Sequence, residues 1–166
     1  MKVAVFVLAL VAFPSFADPI TTVILVRHAE KASQDEDPPL SDAGSARARE
    51  LARVMAVTPI DAIYTTQYVR TRQTALPLAE GKGIEATTFP AAKGYAAAMA
   101  AHIRSKHEGQ TVVVVGHSNS TADVARALGA SNVPTIEESQ FDYLFVVTLA
   151  GDDEQLTILR YGPPTP

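Results

Sequence analysis

Apolar residues come along the chain in blocks, and the blocks differ in kind. Residues 21–26 (TTVILV) and 111–115 (TVVVV) are short β-branched runs bounded by polar residues, the pattern of strands buried on both faces. Residues 61–64 and 84–89 are further strand candidates. Residues 41–57 instead place Leu51, Val54 and Met55 at helical spacing and predict an amphipathic helix, with Gly44 near its start. Helices are also predicted over 71–80, where Pro77 should kink or interrupt the turn ladder, over the Ala-rich stretch 91–107, and over 121–128. Residues 141–149 and 156–161 flank Gly151-Asp152-Asp153 and read as a hairpin. Residues 33–39 (SQDEDPP) read as a loop and residues 163–166 as a tail.

The resulting order is β-α-β-α-β-α-β-α-β-β. Strands alternating with helices predict an α/β fold, a three-layer α/β/α sandwich around a mostly parallel central sheet. In such folds ligands sit beyond the C-terminal ends of the strands.

The first block has another grammar. Met1 and Lys2 are followed by an apolar run over 3–13, then Pro14, then Ser15-Phe16-Ala17 with small residues at the −3 and −1 positions of a cleavage site. The run is too short to span a bilayer comfortably. The expectation is a signal peptide over 1–17, a single domain over 18–166, and a periplasmic or secreted product with no stable membrane insertion after cleavage.

Composition narrows the chemistry. A net charge of −4 argues against a nucleic-acid partner, which is held by clustered Lys and Arg. It leaves room for a small anion in a local positive pocket. The chain has no Cys, so a thiolate nucleophile, a disulfide framework and a zinc–thiolate site are excluded. No residue cluster suggests a metal or another cofactor.

Three places stand just beyond predicted strands. They are Arg27-His28, Arg70 six residues after Tyr64, and Gly116-His117-Ser118-Asn119. Two imidazoles and two guanidiniums brought to one sheet edge make an anion site, and the forked donors of Arg suit phosphate oxygens. The turn at 116–120 opens a helix, so its backbone N–H groups add to that surface. Arg72 is the rival of Arg70 for the same role. His102 and His107 lie in a polar helical segment and are expected to be solvated, and Glu30 with Lys31 to form a mutual surface pair.

These segments resemble the histidine phosphatase superfamily, which includes the phosphoglycerate mutases. The likeness is carried by residues 26–31 (VRHAEK), by Thr66-x-x-x-Arg70-x-x-Gln73-Thr74-Ala75, by residues 114–119 (VVGHSN), and by Leu40-Ser41-x-x-Gly44 before the first helix. It implies that His28 is a nucleophile that becomes phosphohistidine. It implies that Arg27, Arg70 and His117 are catalytic partners that bind the transferring phosphoryl group, with the backbone N–H of Ser118. A neutral imidazole can attack phosphorus and later leave, provided its other nitrogen is held by an acceptor. The short chain lacks capping insertions and looks like the small phosphatases of the superfamily. The implied activity is phosphomonoester hydrolysis of a small or exposed phosphorylated substrate. A phosphotransferase or mutase on the same site, and an exported phosphate-binding protein with a decayed site, are the alternatives.

The chain departs from the family in one respect. No carboxylate directly follows His117, where Ser118 and Asn119 stand, and residues 87–101 contain none. The candidates for the acid that protonates the leaving oxygen are Glu30, Asp35, Glu36, Asp37 and Glu85. Without such an acid an alkoxide would leave slowly.

Overall fold

The structure is a computed structural model that describes residues 18–166; the predicted leader over 1–17 lies outside the described residues. Six strands form one sheet in the order β3-β2-β4-β1-β5-β6. The two runs that read as doubly buried strands become its centre, β1 (Ile20–Arg27) and β4 (Thr111–Gly116), paired in parallel from Thr22↔Thr111 to Arg27↔Gly116. Their alternate residues feed two cores. Val23, Leu25, Val112 and Val114 face one side, while Ile24, Val26, Val113 and Val115 face the other.

Helices α1 (Asp42–Val54) and α2 (Val69–Lys82) cover the second of these faces, through Leu51, Ala75 and Leu78. Helices α3 (Tyr95–Lys106) and α4 (Ser118–Ala127) cover the first, through Met99, Ile103, Val124 and Ala125. The architecture is therefore the expected α/β/α sandwich. The sheet is mixed: β2 (Ala62–Thr65), β3 (Thr87–Thr88), β4 and β1 run parallel, while β5 (Tyr143–Ala150) and β6 (Asp153–Arg160) form an antiparallel hairpin on β1.

Two local expectations need correction, and a third feature gains its reason. Pro77 lies inside α2, which continues to Lys82 and ends at Gly83 in the left-handed conformation. Proline lacks only its own N–H, and burial of Ala75, Leu78 and Ala79 on both sides of it holds the helix together. The strand expected over 84–89 shrinks to Thr87–Thr88, because Ile84 is taken into the C-terminal cap of α2 by its N–H bond to Ala79. Gly44, a poor residue inside a helix, is required by close packing: a Cβ there would stand 2.2 Å from the Glu30 carbonyl oxygen. Ser41 caps α1 by accepting from the Gly44 N–H, and its own N–H donates to the same Glu30 carbonyl. The start of α1 is thus seated on the segment that follows His28.

Candidate active site

β1, β2 and β4 are parallel, so their C-terminal ends share one edge of the sheet. Beyond β1 the His28 N–H donates to the Gly116 carbonyl (2.9 Å), extending the ladder by one residue. This sets the His28 ring beside that of His117, which is the N-cap of α4, with centroids 5.4 Å apart. The turn between β4 and α4 is tight. A Cβ on Gly116 would meet Ser120 Oγ at 2.9 Å, and that hydroxyl accepts from the His117 N–H. Both histidines, Arg27, Arg70 and Ser118 line one cleft of about 750 Å³. The five residues expected from the sequence are therefore brought together. Arg72 is not among them; it lines a second cavity along α2 with Leu76, Ile84 and Glu85.

The His28 ring is nearly buried. Its Nδ1 lies 2.8 Å from the Ala29 carbonyl, an acceptor only, so Nδ1 carries the proton and Nε2 keeps its lone pair. Burial pushes its pKa down to about 3, against the Ala29 hydrogen bond, with help from Arg27, His117 and Arg70. The pKa of His117 is pushed down to about 4, by burial first and then by Arg70 and Arg27, while Glu138 and Asp37 oppose the shift. Its ring is steadied by Thr66 Oγ1, 3.1 Å from Nε2, and by the edge of Tyr68.

The two guanidiniums are held differently. Arg27 is fully buried. Its Nη1 donates to the carbonyls of Glu137, Glu138 and Gln140 at 2.8 to 2.9 Å, its Nη2 donates to Glu138 Oε2 at 2.8 Å, and its plane lies over Phe141. Arg70 stacks on Tyr68 and makes only long contacts, 3.3 Å to the Glu36 carbonyl and 3.4 Å to Asp37 Oδ1. The Nε of each is buried and finds no partner among the described residues. A phosphoryl oxygen supplies the acceptor such a donor lacks, so the donor set fits a phosphate.

The carboxylates fall out otherwise than expected. Glu30 does not pair with Lys31. Arg47 holds it through Nε and Nη2 at 2.8 to 3.1 Å, while Lys31 reaches Gln34. Asp35 accepts from Ser33, Glu36 offers Arg70 only its backbone carbonyl, and Asp37 accepts from the Val69 N–H and Arg70. Glu85 lines the other cavity. The carboxylates that do line the cleft are Asp123, paired with Arg126, and Glu138, which sequence reasoning missed. Tyr68 and Phe141 were missed as well. His102 and His107 are not simply solvated: both Nε2 atoms lie 2.7 to 2.8 Å from the Tyr64 hydroxyl, whose ring is buried under β2. A buried phenol needs such partners.

Residues 23–93 match the model of the histidine phosphatase superfamily, branch 1. That segment, which carries Arg27, His28 and Arg70, is similar to the superfamily; the sheet supplies His117 from beyond it. Solved structures agree in fold. The mycobacterial glucosyl-3-phosphoglycerate phosphatase superposes with a TM-score of 0.69 at 14% identity, covering 86% of this chain and 100% of its own. The protein histidine phosphatase SixA complexed with tungstate gives 0.69 at 16%, covering 84% and 96%. Phosphoglycerate mutase from Bacillus anthracis gives 0.64 at 13%, covering 86% and 94%. Among curated proteins none matches the chain in sequence. The neighbours share the α/β/α fold, and the family match covers the segment that brings Arg27, His28 and Arg70 to the cleft.

The depressed histidines couple the site to stability. His28 and His117 are neutral when folded, with pKa values of about 3 and 4, and take up protons near pH 6.5 when unfolded. Below pH 6.5 the unfolded chain therefore binds more protons, so stability falls as pH falls. Each histidine costs up to about 1.4 kcal/mol per pH unit there. Urea midpoints should be flat above pH 7 and drop steeply between pH 6 and 4. Inorganic phosphate, which favours protonated histidines beside it, should soften the drop.

Proposed function

We propose that the chain is a phosphomonoester hydrolase that works through a phospho-His28 intermediate. The observation that carries this reading is a buried, neutral His28 whose Nδ1 proton is tied to the Ala29 carbonyl, within one cleft with His117 and two guanidiniums. The roles follow from charge. Nε2 of His28 attacks phosphorus in line with the ester oxygen. Arg70, the Nε of Arg27, His117 and the start of α4 stabilise charge spread over the three equatorial oxygens. The similarity to the superfamily over 23–93 supports the assignment of Arg27, His28 and Arg70. The leader-like residues 1–17 support export, and we place the reaction in the periplasm or outside the cell.

Rapid quenching into base during turnover of an aryl phosphate tests the intermediate. The expected result is one base-stable, acid-labile phosphoryl group on the peptide that contains His28. Turnover without any such adduct, or an adduct elsewhere, would overturn the reading. A sugar alcohol added during turnover separates hydrolysis from transfer: release of phosphate should continue undiminished, whereas a mutase would pass the phosphoryl group to the acceptor.

A further inference from the structure

The turn 137–140 between α4 and β5 carries Glu138 into the cleft with a side chain that is 80% exposed. Its carboxylate bridges two groups assigned above to the phosphoryl site. Oε2 lies 2.8 Å from Arg27 Nη2 and Oε1 lies 2.5 Å from Ser118 Oγ. The charged and titratable groups facing it are Arg27 from β1, Lys31 beyond β1, and His117 at the head of α4. The other cleft carboxylate, Asp123, is occupied by Arg126, one helical turn further along α4.

Resting on the phosphatase reading, we propose that Glu138 is the acid that protonates the leaving oxygen, and that binding of the phosphoryl group loads it with its proton. The partners of Glu138 at rest are donors that stabilise an anion, and the hydrogen bond from Ser118, foremost, holds its pKa below the ordinary value. A phosphoryl dianion entering the cleft competes for those same donors. It takes the stabilising partners away and sets negative charge beside the carboxylate, and both changes favour the protonated form. The exposed side chain collects that proton from solvent.

The steps then balance. The lone pair of His28 Nε2 forms the N–P bond, the P–O ester bond breaks with its electrons on oxygen, and the Glu138 proton passes to that oxygen. In the second half Glu138 takes a proton from water as the water oxygen attacks phosphorus, and the P–N electrons return to Nε2. Alcohol and phosphate leave, and Glu138 gives up its proton as phosphate departs.

The test compares the full chain with Glu138→Gln by two readouts. The first is kcat/KM on an alkyl phosphate and on a nitrophenyl phosphate. Loss of a general acid should lower the alkyl rate by about 10² to 10³-fold and the aryl rate by about threefold or less, because a phenolate leaves without help. The second is proton uptake on binding inorganic phosphate at pH 7, by calorimetry in two buffers of different ionisation enthalpy. His28 and His117 contribute to both proteins, so the difference between them reports Glu138. The wild type should take up more protons than the variant. Equal losses on both esters, or a gain in rate, would overturn the acid role, a gain marking Glu138 as a mere competitor for the phosphoryl site. Equal proton uptake would overturn the loading. Wild-type chain that hydrolyses neither ester would instead sink the phosphatase reading itself, and the acid role with it.

Discussion

His28→Ala should abolish phosphate release from an aryl phosphate, by at least about 10³-fold in kcat, while the protein stays folded. Among the described residues of the cleft none is placed to replace the proposed nucleophile. His117 is the nearest imidazole, but its Nε2 is engaged by Thr66 and its backbone is fixed as the N-cap of α4. The ring of His28 makes one polar contact, to the carbonyl of its chain neighbour, so its loss strands no distant partner. Stability also moves in an informative direction. A histidine held neutral by burial makes the folded state sensitive to acid. Removing it should cost little at pH 7 and flatten the urea midpoint between pH 6 and 4 relative to the wild type. Loss of turnover together with a flatter acid limb identifies His28 as the buried neutral base. Loss of turnover with unfolding at pH 7 would give it a structural role instead. Retained turnover would overturn its assignment as nucleophile.

Much of this geometry was legible in the chain. Residues 23–26 (VILV) and 112–115 (VVVV) are unbroken apolar runs, and a strand with both faces buried belongs at the centre of a covered sheet. Two such strands side by side put Arg27-His28 and Gly116-His117 at the same edge, and the register Arg27↔Gly116 is the structural form of that inference. Arg70 was distinguishable from Arg72 by motif spacing alone, and two helix positions do turn Arg72 away from the cleft.

Other features depend on contacts that no local pattern encodes. Glu138 lies in an aperiodic segment and is placed by Arg27, 111 positions earlier in the chain. Glu30 stands two residues after His28 and invited a catalytic reading; Arg47 on α1 holds it instead. His102 and His107 sit in a polar stretch, yet they serve the hydroxyl of Tyr64, 38 and 43 positions away. In each case a buried or half-buried polar group chose its partner by proximity in three dimensions.

Arg27→Ala should cost both activity and stability, whereas Arg70→Ala should cost mainly activity. Either change removes a cation beside the transferring group and should lower kcat/KM by about 10² to 10³-fold. Their surroundings set them apart. Arg27 is 1% exposed and holds the turn 137–140 by four hydrogen bonds of 2.8 to 2.9 Å, over the face of Phe141. Its loss leaves three carbonyls to find water or stay unpaired, opens a gap beneath Phe141 and releases Glu138. The expected cost is about 3 kcal/mol, from the sum of lost bonds to a charged group less what water returns. Arg70 gives up contacts of 3.3 and 3.4 Å and a stack on Tyr68, which should cost about 1 kcal/mol or less. Lysine cannot rescue Arg27, since one ammonium cannot serve the three carbonyls, the carboxylate and a phosphoryl oxygen from a single nitrogen. Urea midpoints and kcat/KM of Arg27→Ala, Arg27→Lys and Arg70→Ala, measured together at pH 7, decide the matter. Equal stability of the two alanine variants would mean that Arg27 does not hold the turn. A turn that is free of Arg27 would also leave Glu138 without the ion pair that carries it into the cleft before the phosphoryl group binds.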